Sequence, residues 1–198
     1  MESAAIGEQD GFEIVALAAS AGGLNALTHV LSALPADFPA ALVVVQHLDR
    51  RHRSLMAEIL AKRTQLHVKQ AADNDRLAHG TAFIAPPNRH LLVNADGSLS
   101  LTQTELVHFV RPSADLLFES TAAAFGERAI AVVLSGTGSD GAMGVRAIKE
   151  RGGTVIVQDD ASEFGGMPQA ARQAVAPDFV LPLDDIAPAL RTLLAAGR

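Results

Sequence analysis

Short, continuous apolar runs alternate along this chain with stretches whose apolar positions recur three and four residues apart. Residues 13–18 (Glu-Ile-Val-Ala-Leu-Ala), 40–46 (Ala-Ala-Leu-Val-Val-Val-Gln) and 129–134 are apolar almost throughout. Such runs predict strands buried on both faces, because a half-exposed strand would alternate instead. Residues 24–33, 53–63, 113–125, 142–151, 168–175 and 184–194 carry the helical period. In 53–63 it puts Leu55, Ile59 and Leu60 on one face. Ser113, directly after Pro112, reads as an N-cap, and Gly152-Gly153 ends the 142–151 helix. Shorter strands are expected at 66–70, 81–85, 91–94, 98–101 and 154–157. Asn94-Ala95-Asp96-Gly97 has the composition of a hairpin turn. Strands alternating with helices predict an α/β fold: a doubly wound, mostly parallel sheet with helices on both faces, and an antiparallel hairpin within 81–101 at one edge. One domain is expected over residues 13–198, after a tail of residues 1–12.

Composition narrows this picture by exclusion. The chain has 198 residues, 48% hydrophobic and 19% charged, so it suits a single globular domain with a sizeable core. No apolar run is long enough for a membrane-spanning helix, and residues 1–12 contain no Lys or Arg and no apolar core, so membrane insertion and a signal peptide are not expected. There is no cysteine, hence no disulfide, thiolate metal site or Cys nucleophile, which fits a reducing cytoplasm. Net charge is −6, the one basic cluster is Arg50-Arg51-His52-Arg53, and Trp and Tyr are absent, so nucleic acid is not an expected partner.

In open parallel sheets, ligands bind where loops leave the C-terminal ends of the strands. Reactive residues directly after predicted buried strands are therefore the ones to collect. Ser20 ends the first strand, followed by Ala21-Gly22-Gly23 and a helix. A strand–turn–helix with small residues holds a side chain forward and lets a substrate approach. His47 follows 40–46, and Asp140 lies in Ser135-Gly-Thr-Gly-Ser-Asp-Gly141 after 129–134. A serine to attack an acyl carbon, a histidine to move its proton and an acid to fix the imidazole are complementary chemistry. Each has a plainer reading: Ser20 as a helix cap, His47 as a structural histidine, Asp140 as a turn residue. The Gly-rich 136–141 loop, or the amides beside Ser20, would suit an oxyanion hole. Gly22-Gly23 lacks the Gly-x-Gly-x-x-Gly spacing of a dinucleotide site.

Five blocks together resemble the catalytic domain of CheB-type chemotaxis protein-glutamate methylesterases. Ala19-Ser20-Ala21-Gly22-Gly23 resembles that family's Ala-Ser-Thr-Gly-Gly turn, and Val44-Val45-Gln46-His47 its Val-Gln-His segment. Arg111-Pro112-Ser113-Ala114-Asp115-Leu116-Leu117-Phe118, Leu134-Ser-Gly-Thr-Gly-Ser-Asp140-Gly141, and Gln158-Asp159 with Gly166-Met167-Pro168 match three further blocks. The likeness runs in order from about residue 13 to residue 193. It implies a Ser20–His47–Asp140 triad, with Ala21, Gly22, Thr137 and Arg111 around the oxyanion and substrate, and no metal or cofactor. It also implies a cytoplasmic enzyme that demethylates γ-glutamyl methyl esters on the cytoplasmic helices of methyl-accepting chemoreceptors and, as in some relatives, deamidates glutamine there.

The departures leave two other readings open: a degenerate module that binds a receptor or partner without turnover, and a serine hydrolase for another ester. Ala21 stands where the family has Thr, Thr137 where it has Met, and Leu48-Asp49-Arg50-Arg51-His52-Arg53 differs from the family's Met-Pro start with an aromatic. Residues 1–12 are too few for the phospho-receiver domain of typical members. The expectation is a stand-alone catalytic domain, a fragment, or a domain controlled by a separate regulatory protein. Arg111 suits either a receptor carboxylate or a loop anchor. Asp115, near a helix start, suits a structural role favoured by the helix dipole.

Overall fold

The computed structural model describes residues 13–47 and 54–196. The expected tail, the basic cluster and the start of the 53–63 helix lie outside the described residues. The elements run β1 (Ile14–Ala19), α1 (Gly23–Ser32), β2 (Ala41–Gln46), α2 (Met56–Ala61), β3 (His67–Gln70), β4 (Thr81–Ile84), β5 (His90–Val93) and β6 (Leu99–Thr102). They continue with α3 (Ala114–Phe125), β7 (Ala129–Val133), α4 (Ala142–Glu150), β8 (Thr154–Gln158), α5 (Gly166–Ala174), β9 (Phe179–Leu181) and α6 (Leu183–Ala196).

Among the described residues seven strands form one sheet in the order β3-β4-β2-β1-β7-β8-β9, and every pairing in it is parallel. Every residue of β1 and β2 is buried, as their unbroken apolar runs predict. Alternate side chains serve opposite faces. Val15 and Leu17 pack toward Leu27, Leu31 and Leu190, from α1 and α6. Ala16 and Ala18 join the cluster of Phe118, Val145 and Ile148, from α3 and α4. The sheet is doubly wound, with helices on both faces.

The antiparallel hairpin exists, but its place and membership differ from expectation. β5 and β6 form a two-stranded sheet of their own, apart from the large one. The turn is as expected: Gly97 has φ 76° and its N–H donates to the Asn94 carbonyl at 3.0 Å. The hairpin packs on α3, where the Val93 N–H donates to the Ser120 hydroxyl at 3.1 Å. β4, which the 81–101 reading put with the hairpin, is an internal parallel strand between β3 and β2. All four of its residues are buried, the signature of a strand covered on both faces. Pro86 and Pro87 stop it from continuing into a tight turn toward β5. β9 was not expected; it is a short edge strand whose Phe179 and Val180 are exposed. Leu55 lies before α2 and is 57% exposed rather than on the helix's packed face. No helix among the described residues is long and apolar enough to cross a membrane.

From central β1 the chain passes through β2 to the edge strand β3, steps back to β4 between those two, and later crosses to β7 on β1's other side. The winding direction therefore reverses between β1 and β7. A crevice opens at the C-terminal ends of strands at such a switch point. Ser20 leaves β1 there, and Ser135 leaves β7.

Candidate active site

The Ser20 turn is held by its backbone. Its N–H donates to the Ser135 carbonyl at 3.0 Å, and its carbonyl accepts from the Gly23 N–H at 2.9 Å and from Gln46 Nε2 at 2.7 Å. Gly22 is left-handed at φ 72°, a conformation that costs L side chains and suits glycine. Gly22, not Ser20, is the N-cap of α1, and among the described residues no side chain caps that helix. The reading of Ser20 as a helix cap is therefore not what the chain builds. Among the described residues, no hydrogen bond engages the Ser20 hydroxyl. Gly136 comes from the next loop: a Cβ there would stand 2.9 Å from the Ser20 Cβ and would meet the Met167 sulfur. The absence of a side chain at 136 is what lets the two loops close on each other.

His47 follows β2, its N–H donating to the Ala19 carbonyl at 3.1 Å. Its Nε2 lies 2.7 Å from Asp140 Oδ2, with the two side chains 12% and 4% exposed. With Nε2 committed to the carboxylate, Nδ1 is the ring nitrogen left to exchange a proton with a hydroxyl.

Asp140 sits on the N-terminus of α3. The Ala114 N–H donates to its Oδ2 at 2.6 Å, the Asp115 N–H to Oδ1 at 3.1 Å and the Ser113 hydroxyl to Oδ1 at 2.8 Å. Burial alone raises its pKa, but the bonds from His47, Ala114 and Ser113 outweigh burial and hold it below the ordinary carboxylate value. An acid kept ionised, with both oxygens occupied, fixes an imidazole tautomer and stabilises its protonated form.

The family model described as CheB methylesterase matches residues 15–190. The chain belongs to the CheB methylesterase family. It is 42% identical over 196 residues to the protein-glutamate methylesterase/protein-glutamine glutaminase of Moorella thermoacetica, covering 96% of this chain and 46% of that protein. It is 39% identical over 177 residues to a putative protein of the same description from Leptospira interrogans, covering 89% of this chain and 92% of the other. The chain thus spans about half of the first relative and nearly all of the second. The crystal structure of the Thermotoga maritima CheB methylesterase catalytic domain superposes with a TM-score of 0.88 at 34% identity, covering 92% of this chain and 99% of that one.

Several residues of this CheB-family domain have roles that sequence reasoning missed. Ser113 caps α3, as expected, by accepting from the Leu116 N–H at 3.4 Å, and it also binds Asp140. The Ser113 N–H donates to Nδ1 of fully buried His90 at 3.1 Å; His90 Nε2, which then carries the proton, donates to the Glu105 carbonyl at 2.9 Å. Ser135 joins the Ser20 turn to the 159–165 loop: its hydroxyl donates to the Ala21 carbonyl at 2.9 Å and accepts from the Phe164 N–H at 3.0 Å. Serine at the edge of a glycine-rich loop was the only sequence signal for that bridge.

The remaining expected residues divide. Ala21 and Gly22 form the turn, and Thr137 is exposed between Gly136 and left-handed Gly138. Arg111 donates from Nε and Nη2 to Asn88 Oδ1 at 3.1 and 2.7 Å, and from Nη1 to the Gln103 and Thr104 carbonyls at 3.2 and 2.5 Å. A guanidinium used on every nitrogen supports the loop-anchor reading. Asp115 is structural as expected, but chiefly through a bond: its Oδ1 accepts from the Gly144 N–H at 2.7 Å, tying α3 to α4. Its Oδ2 faces His108 at 3.2 Å. Burial, and then Asp140 nearby, push the Asp115 carboxyl above its ordinary value.

Proposed function

We propose that this chain is a serine hydrolase that removes methyl groups from γ-glutamyl methyl esters of chemoreceptors. The observation that carries the reading is the 2.7 Å His47–Asp140 pair beside the serine turn at the sheet's switch point. Ser20 Oγ attacks the ester carbonyl carbon while His47 Nδ1 takes its proton. The tetrahedral oxyanion is met by N–H groups of the Ala21–Gly22 turn and of the Thr137 loop. The intermediate collapses, the C–O bond to the methoxy group breaks, and His47 returns the proton to release methanol. Water then attacks the Ser20 acyl ester with His47 as base, leaving a glutamate carboxylate and free Ser20. Glutamine enters the same sequence with ammonia as leaving group. Asp140 stays ionised throughout and holds the imidazole.

The fold and the family support an acyl-transfer site, and the names of the relatives support the substrate. The site works on receptor helices that face the cytoplasm. The test is methanol release from a methyl-esterified chemoreceptor cytoplasmic fragment. Wild type releases methanol and Ser20→Ala does not. Wild type without turnover leaves a binding role only, and turnover of model esters but not of the receptor fragment moves the substrate elsewhere.

A further inference from the structure

β1 and β2 are paired up to Ala19 and Gln46, and immediately beyond that pair the chain delivers Ser20 and His47. Past the last ladder pair, one backbone bond still joins the two departing segments, from the His47 N–H to the Ala19 carbonyl at 3.1 Å, and among the described residues no backbone group of the β2 segment reaches Ser20. The Gln46 side chain spans that gap. It is 5% exposed, and its Nε2 donates to the Ser20 carbonyl at 2.7 Å and to the His47 carbonyl at 3.0 Å. Two carbonyl acceptors require the NH2 end of the amide there, so its orientation is fixed by chemistry. Among the described residues the amide's other end is buried without a hydrogen-bond partner, and it lies against Gly23. A Cβ at position 23 would collide with Gln46 Oε1 and stand 2.8 Å from Gln46 Cδ and from the Ala19 Cβ. Gly23 is helical and not left-handed, so its need for glycine comes from space rather than from backbone conformation.

We infer that Gln46 is a positioning residue, a clamp that sets the separation of the nucleophile and base backbones, and that Gly23 is glycine to admit its amide. The inference rests on the proposed roles of Ser20 and His47. Gln46 touches no reacting atom. It acts by joining two peptide carbonyls, one belonging to the attacking residue and one to the residue that takes its proton. Displacement of either by a fraction of an ångström lengthens the hydroxyl–imidazole approach, and misplacement on the scale of 1 Å costs about 100-fold in rate.

The test measures Ser20 reactivity without the protein substrate. A serine-directed sulfonyl fluoride is applied to the whole chain, and the second-order rate of Ser20 modification is followed by mass spectrometry, alongside thermal unfolding. Gln46→Met keeps the shape of the side chain and removes both donors. Gln46→Glu keeps the shape and, when ionised, presents acceptors to two acceptors. Both are expected to remain folded and to lose about 30-fold in labelling rate, within the range for a misplaced reacting group. With a methyl-ester substrate the loss falls on kcat, and KM stays within about twofold, because no substrate contact is removed. If Gln46→Met proves unstable, Gln46→Glu carries the comparison, assayed at a temperature where it is folded. Labelling at the wild-type rate in a folded Gln46 variant overturns the clamp. So does a loss confined to KM. Wild type that is not labelled at Ser20 instead overturns the nucleophile assignment on which the clamp rests.

Discussion

Asp140 and Ser20 stand at two ends of one constellation and are held in opposite ways. Asp140 is fixed by its side chain: four donors, from His47, Ser113, Ala114 and Asp115, occupy both carboxylate oxygens. Ser20 is fixed by its backbone, through Ser135, Gly23 and Gln46, while among the described residues its hydroxyl is bonded to nothing. The acid end is a rigid electrostatic mount, and the serine end is a rigid frame around a free group. An orienting acid needs immobility, whereas a nucleophile needs a free oxygen on an immobile stem.

The largest expected effect comes from breaking the acid mount. Asp140→Asn keeps the shape but turns an N–H toward His47, so kcat falls on the order of 10⁴-fold, the loss characteristic of a triad with the wrong tautomer. The measurement is steady-state methanol release. The same variant tests the electrostatics. Asp140 has a folded-state pKa below its unfolded value, so its stabilisation is present above the ordinary carboxylate range and lost as pH falls through the lowered value. The stability gap between wild type and Asp140→Asn, from urea unfolding, is therefore full at neutral pH and closes on acidification below that range.

A smaller effect is expected one bond away. Ser113→Ala removes one of the four donors to Asp140 together with the cap of α3. It lowers kcat about 10-fold and stability by about 1 kcal/mol. Ser113→Thr keeps the hydroxyl and restores most of both, which separates the acid's mount from general loosening of the helix. The smallest effect sharpens the contrast by leaving the site alone. Arg111→Ala breaks bonds to Asn88 and to the 103–104 carbonyls and costs about 1–2 kcal/mol in thermal or urea unfolding. KM for the ester stays within about twofold; a large rise in KM would return Arg111 to the substrate.

The sequence put Ser20, His47 and Asp140 at one sheet edge because each lies in a loop that follows a continuous apolar run, and such runs predict parallel strands whose C-terminal ends converge. β1, β2 and β7 could be read without a partner in view. β4 was harder, since its partners β2 and β3 are distant in sequence while the genuine Asn94–Gly97 turn lies close by. β9 has three residues at an edge, too few to show a period. In the site, Ser113 could be read as a cap but not as a donor to Asp140, because that bond joins loops 27 residues apart. Gln46 and Ser135 were unread for the same reason: an amide and a hydroxyl gain their roles from what the fold brings within 3 Å.

The central claim is that Ser20 and Asp140, so differently held, act on one substrate as a single unit. It is tested most directly by kcat for methanol release from wild type, Ser20→Ala, Asp140→Ala and the double variant. Residues that act as a unit are not additive. The prediction is that each single variant loses several powers of ten and that the double variant is no slower than Ser20→Ala. Near-wild-type turnover by Ser20→Ala, or losses that multiply in the double variant, would contradict it.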